Sequence, residues 1–179
     1  MEDCCRTPDF ADMTRVHRIQ AHPLFIDTLR LLNEAEQDRI YCKQGIDHLL
    51  DVARLMYIYN LEEGTGIRKD VIYATALLHD LGRYEQLTVG TPHDEAGFQL
   101  AGEILPDCDF TTCEMRQIQL AILHHRNHPS GQTKELLDQQ EPLGAYLYRA
   151  DKKSRRCYAC AAEPTCNWSE EKKNWVINE

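Results

Sequence analysis

The sequence predicts an all-α protein. Apolar residues recur at helical spacing in segment after segment, and Pro, Gly and Ser/Thr stand where helices begin and end. No stretch shows the sustained two-residue alternation of a half-buried strand. The first predicted helix runs from Pro23 to about Ile40, with Phe25, Ile26, Leu29 and Leu32 on one face and Pro23 in its first turn. The second, residues 46–60, carries Ile46, Leu49, Leu50, Ala53, Met56 and Ile58, a stripe wide enough for burial on most sides. The third starts at Asp70 and reads VIYATALLHDLG, almost wholly apolar, which makes it the central one; Gly82 is expected to close it with a left-handed cap. Thr91 and Pro92 supply an N-cap and a first-position proline for a helix ending before Pro106, with Ala96, Leu100, Ala101 and Ile104 on one face. Further helices are expected from Thr112 to His125 and from about Pro142 through LGAYLYRADKKS. A cysteine-rich turn and a short amphipathic tail helix, WSEEKKNW, capped by Ser169, follow.

A chain of 179 residues predicts one compact domain over 1–179 that buries roughly 70% of its unfolded-chain surface. No repeat, low-complexity tract or Pro/Gly/Ser-rich linker divides it. Hydrophobic content of 42% with 27% charged residues is that of a globular protein. No apolar run approaches the ~18 residues of a membrane span, and the start MEDCCRTPDF lacks the apolar core of a signal peptide, so a soluble, cytoplasmic protein is expected. A formal charge of −9 disfavours sequence-blind binding to nucleic acid or to an anionic membrane. Small-molecule chemistry is the default, and eight cysteines and eight histidines without an export signal point to metal before disulfides.

The strongest local signal is His79-Asp80 at the end of the apolar ALLHDLG helix. A carboxylate buried there without a partner is costly, and the free carbonyls of a helix C-terminus favour a cation. The plain alternative is a helix-end histidine bonded to its neighbour. Two other helices change the balance. His48 lies in the first turn of the 46–60 helix beside its apolar stripe, and Asp151 follows Leu143 and Leu147 at i+8 and i+4, on a buried face. Two imidazoles and two carboxylates converging from three helices make a site for a divalent transition metal such as Mn, Fe, Zn, Co or Ni.

His48, then His79-Asp80, then Asp151, in that order on helices over about residues 40–156, resembles the H…HD…D signature of the HD superfamily of metal-dependent phosphohydrolases. The resemblance implies an all-α helical bundle, a first metal on these four residues, and hydrolysis of a phosphate ester or anhydride, with a nucleotide as the expected substrate. In relatives with two metals, additional histidines lie between the HD pair and the final Asp. Here His93 and His125 fill those positions, with His124 the alternative to His125; the period of Met115, Ile118 and Ile122 favours His125. Asp80 then bridges the two ions. Capping or core hydrogen bonds are the alternative for these histidines, and His17, His22 and His128 read as solvated.

A bridged ion pair would acidify a water and present a metal-bound hydroxide to phosphorus. Developing negative charge would be met by the metals and by cations: Arg83 three residues beyond Asp80, Arg126 after the histidine pair, and Lys152 beside Asp151, the first choice for a phosphate contact. Lys153, Arg155 and Arg156 read instead as basic residues gathered at a helix C-terminus.

Cys157, Cys160 and Cys166 form a C-x2-C-x5-C knuckle, one thiolate short of a closed tetrahedral zinc site. Cys42 lies six residues before His48 and Cys157 six after Asp151; antiparallel packing of those helices would carry both about 9 Å the same way and bring Cys42 to the knuckle. A structural zinc, an iron–sulfur cluster, or reduced thiols packed as small hydrophobes are the readings of this group. Cys4 and Cys5 are alternative donors, and Cys108 and Cys113 are unrelated. Competing functions are a module that senses a nucleotide or metal without turnover, a di-iron oxygenase on the same fold, and a nucleic-acid contact at the basic residues 152–156. The acidic total makes the last the weakest.

Overall fold

The computed structural model describes residues 12–126 and 142–177; Cys4, Cys5 and His128 lie outside them. Among the described residues the regular structure is entirely helical. The α-helices are α1 (Thr14–Ala21), α2 (Pro23–Ala35), α3 (Ile46–Glu63), α4 (Lys69–Leu78), α5 (Arg83–Thr88), α6 (His93–Ile104), α7 (Thr112–His124) and α8 (Pro142–Lys153). No helix among the described residues is long and apolar enough to cross a membrane.

Helix α4 is the hub, as its composition requires. All of it except Lys69 and Tyr73 is buried, and it packs against α1, α3, α6, α7 and α8. Its polar start is also buried: Asp70, 2% exposed, accepts from Arg15 Nε at 2.7 Å and from Arg68 Nη2 at 2.8 Å. Arg15 also bonds Glu114 at 2.7 and 3.0 Å and lies over the Phe110 ring, so one guanidinium ties α1, α4 and α7 together. A buried carboxylate held this way is stable because each oxygen has a charged or backbone donor. Helix α3 buries Leu49, Val52, Ala53, Met56 and Tyr59 against α4 and α8 and ends at Gly64, whose φ of +65° is the left-handed cap that glycine provides.

Several boundaries differ from expectation. Helix α2 stops at Ala35, because Glu36 turns inward and its buried carboxylate accepts the Gln44 N–H at 2.7 Å, folding 36–45 back along the chain. Helix α4 ends at Leu78, and Gly82 has φ −61°, not a left-handed conformation. Its missing side chain matters for space: a Cβ would stand 2.2 Å from the His93 carbonyl oxygen. Pro92, not Thr91, is the N-cap residue of α6, and no side chain caps that end. The capping box falls instead at Thr111, which accepts from Glu114 N while Glu114 accepts from Thr111 N. WSEEKKNW makes a single 3-10 turn, Glu170–Lys172, rather than an amphipathic helix.

Candidate metal centre

The turn 79–82 between α4 and α5 carries the centre. His79 and Asp80 emerge from the most buried helix, and both are enclosed, at 0% and 2% exposure. Around the Asp80 carboxylate stand four imidazole Nε2 atoms from four elements. His48 on α3 and His79 face Oδ2 at 3.6 and 3.5 Å; His93 on α6 and His125 at the end of α7 face Oδ1 at 3.4 and 3.7 Å. Asp151 of α8 completes one side, its Oδ1 3.6 Å from His48 Nε2. The donors fall into two groups within ion-sharing distance, His48, His79, Asp80 and Asp151, and Asp80, His93 and His125, with Asp80 common to both.

Each imidazole is oriented through its other nitrogen. His79 Nδ1 donates to Ala76 O at 2.7 Å and His125 Nδ1 to Ile122 O at 2.5 Å; a carbonyl only accepts, so these nitrogens carry the proton. His93 Nδ1 donates to Gln86 Oε1 at 2.7 Å. Ser154 Oγ donates to Asp151 O at 3.0 Å, which leaves its oxygen to accept from His48 Nδ1 at 3.3 Å. All four Nε2 atoms therefore present lone pairs inward in the neutral ring. His48 Nε2, His79 Nε2 and Asp80 Oδ1 are buried with no hydrogen-bond partner, and the lone pairs of His93 and His125 face each other at 3.2 Å. Lone pairs opposed at that distance repel unless a cation lies between or beside them. Imidazoles fixed through Nδ1, with Nε2 aimed at a shared carboxylate, are what divalent transition metals require.

The electrostatics agree. Burial, only partly offset by Asp80, lowers His79 to about 4, and burial likewise lowers His93 to about 4, so both are neutral ligands at pH 7. Burial works against ionising Asp80, but its surroundings, with the Arg83 guanidinium 3.4 Å away as the permanent cation, hold its carboxyl well below the usual range. For Asp151, burial and the Asp80 charge are outweighed by Lys152 and Arg155, and its carboxyl too is lowered. A histidine whose folded pKa lies below its unfolded 6.5 stabilises the fold above pH 6.5 and loses that contribution as pH falls toward the folded value. Metal-free protein is therefore expected to lose on the order of a few kcal/mol between pH 6.5 and 4. Urea midpoints across that window check this; a flat profile would contradict it.

The remaining expected residues divide. His124 is exposed, one position round the helix from the cluster that His125 joins. Arg83 reaches Asp80 Oδ1 at 3.4 Å. Lys152 is a third exposed and pairs with Asp151. Arg126 is exposed and lies 3.7 Å from Asp94. Cys42, Cys157, Cys160 and Cys166 line one cavity of about 330 Å³ that His48 also borders, yet among the described residues no three of their sulfurs lie within 4.8 Å of one another. Arg155, read from the sequence as a helix-end cation, is instead drawn in. Its side chain is 8% exposed, with Nη2 3.6 Å from Asp151 Oδ1 and the guanidinium 3.9 Å from the Trp168 ring. Gln86 and Ser154 carry no sequence signal, since their role is set by which imidazole packs against them.

A family model described as HD domain matches residues 45–156. An uncharacterized protein of Clostridium beijerinckii is 38% identical over 165 residues, which cover 92% of this chain and 99% of that one. The crystal structure of a predicted HD superfamily hydrolase from an uncultured Thermotogales bacterium aligns with a TM-score of 0.58 at 20% identity, over 88% of this chain and 86% of that chain. That last likeness is one of fold.

Proposed function

This chain belongs to the HD domain family, and from that premise we propose that it is a metal-dependent phosphohydrolase acting on a phosphate ester or anhydride, with a nucleotide as substrate. The observation that carries the reading is the convergence of four inward Nε2 lone pairs on the shared Asp80 carboxylate. His48, His79, Asp80 and Asp151 would hold a first ion, and Asp80, His93 and His125 a second. Divalent ions bound there supply Lewis acidity and lower the pKa of water toward neutrality.

The chain's own groups do the rest. The Nδ1 hydrogen bonds to Ala76, Ile122, Gln86 and Ser154 lock the rings, so the donors need no reorganisation when substrate arrives. Arg83, beside Asp80, meets negative charge gathering on the phosphoryl oxygens. Lys152, a third exposed, pairs with Asp151 at the rim and turns from that partner to a substrate phosphate, while Arg155 stays beside the buried Asp151 carboxylate. Arg126 is exposed, with a 3.7 Å contact to Asp94 as its one ion pair among the described residues, and reaches for a second phosphate of a nucleotide.

The test is elemental analysis of anaerobically purified protein followed by a phosphate-release screen over nucleoside mono-, di- and triphosphates. Two ions from the group Mn, Fe, Zn, Co and Ni and phosphate released from at least one nucleotide are expected. Oxygen consumption in place of phosphate release would overturn the reading in favour of a di-iron oxygenase. Tight nucleotide binding with no turnover would leave a sensing module.

A further inference from the structure

The segment after α8 has a definite path but almost no core. Among residues 154–177 Asn174 alone is buried, while Tyr158, Trp175, Val176 and Ile177 are exposed. Its regular structure is three single 3-10 turns, Cys157–Ala159, Glu163–Thr165 and Glu170–Lys172. What ties it down is polar. Asn174 Nδ2 donates to Lys152 O and Arg155 O, both at 2.9 Å, and Lys173 Nζ pairs with Glu163 at 2.7 Å. A stretch this long that buries so little apolar surface needs a covalent or metal staple. The cysteines are free thiols, so no disulfide supplies it.

The sulfurs are where a staple would act. Cys157 and Cys160 flank one 3-10 turn, with Cys160 N donating to Cys157 O at 3.2 Å, the compact geometry of a C-x2-C knuckle. Cys166 ends the next turn, and Cys42 arrives from the other side of the chain on a strap held by Tyr41 Oη, which donates to Thr165 O at 2.9 Å. All four line the same cavity. Arg155 lines it too, with a nearly buried side chain whose Nε and Nη1 have no hydrogen-bond partner. Unpaired N–H donors beside four sulfurs are unexplained among neutral thiols, but four thiolates on a divalent ion carry a net charge of −2, which a guanidinium satisfies.

We propose that Cys42, Cys157, Cys160 and Cys166 bind one structural zinc ion, distinct from the ions of the His/Asp centre. Binding replaces the four thiol protons with one Zn²⁺ and draws the sulfurs to the ~2.3 Å bond length of a closed tetrahedral site. The movement falls on the short turns 157–166, none of whose residues is buried. The ion would also hold Arg155 against Asp151 and Ser154 against His48, so it braces one edge of the His/Asp centre. The inference does not rest on the phosphohydrolase reading, because it uses different residues and a readout other than activity.

The test treats wild-type full-length chain with an organomercurial, which attacks thiolates and leaves imidazole and carboxylate ligands alone, while a chromogenic chelator reports free zinc. One equivalent of zinc per chain is expected, released in step with the cysteines. Cys160→Ser should hold one zinc fewer per chain, whereas His48→Ala and Cys108→Ser should still release the thiol-bound ion. Should Cys160→Ser fail to fold, cobalt-loaded wild type decides: sulfur-to-cobalt charge-transfer absorption supports the site. Mercurial modification that frees no zinc, cobalt protein without that absorption, or iron with acid-labile sulfide in place of zinc would each overturn the proposal.

Discussion

Asp80→Ala is expected to strip the ions from both halves of the His/Asp centre at once and to abolish phosphate release, with the far-ultraviolet helical signal unchanged. Asp80 is the one donor common to both groups, with an oxygen toward each pair of imidazoles at 3.4–3.7 Å. Without it the first group keeps His48, His79 and Asp151, and the second keeps only His93 and His125. Losing an outer hydrogen-bond partner of a ligand costs roughly 10–100-fold in metal affinity or activity; losing a shared ligand should exceed both figures. The fold should survive, because Asp80 sits in a turn between helices and its methyl replacement relieves the burial of an anion among neutral rings. Metal content by elemental analysis, circular dichroism and phosphate release measure the three parts. Two retained ions, or hydrolysis at the wild-type rate, would remove the basis of the mechanism.

Gly82→Ala should destabilise the fold by about 4 kcal/mol or more, an exceptional loss for a single methyl. The added Cβ would lie 2.2 Å from His93 O, 2.5 Å from Gly97 N and 3.0 Å from Ala96 Cβ. The two closest atoms are backbone, so no side chain can rotate away, and α6 must retreat as a unit. Ordinary overpacking, where neighbours can shift rotamers, costs about 1–3 kcal/mol. The retreat takes His93 away from Asp80, so the second ion should be lost before the first. Gly64→Ala is the contrast. There φ is +65° with nothing within 4 Å of the new Cβ, and the cost is the left-handed conformation alone, about 1 kcal/mol. Urea unfolding of both variants checks the pair; a Gly82→Ala protein within 1 kcal/mol of wild type would contradict the tight turn-on-helix packing.

Particular residues show what the sequence made legible. The apolar runs of α3 and α4 and the i, i+4, i+8 series Leu143, Leu147, Asp151 of α8 announce buried faces, and these helices stand close to where periodicity puts them. The same period separates His125 from its neighbour His124. Helices α1 and α5 have no such signature: α1 buries only Val16 and Ile19, and α5 buries nothing, so their shape comes from Arg15 and from packing on α2 and α6. Arg155 defeats sequence reading for a different reason. A helix C-terminus attracts cations whatever they later do, and only the neighbouring Trp168 and Asp151 distinguish a buried guanidinium from a solvated one.

By itself the sequence determined that the protein is helical, that His48, His79, Asp80, His93, His125 and Asp151 stand on or beside buried helical faces, and that four cysteines flank the helices carrying His48 and Asp151. These are local facts, set by a repeat of 3.6 residues and by the cost of burying charge. The tertiary structure alone decided which imidazole shares which carboxylate oxygen, that Ser154 and Gln86 orient two of the rings, and why Gly82 has no side chain. Those depend on how helices distant in sequence approach one another, and close approach is governed by contacts of a few ångströms that no periodicity encodes.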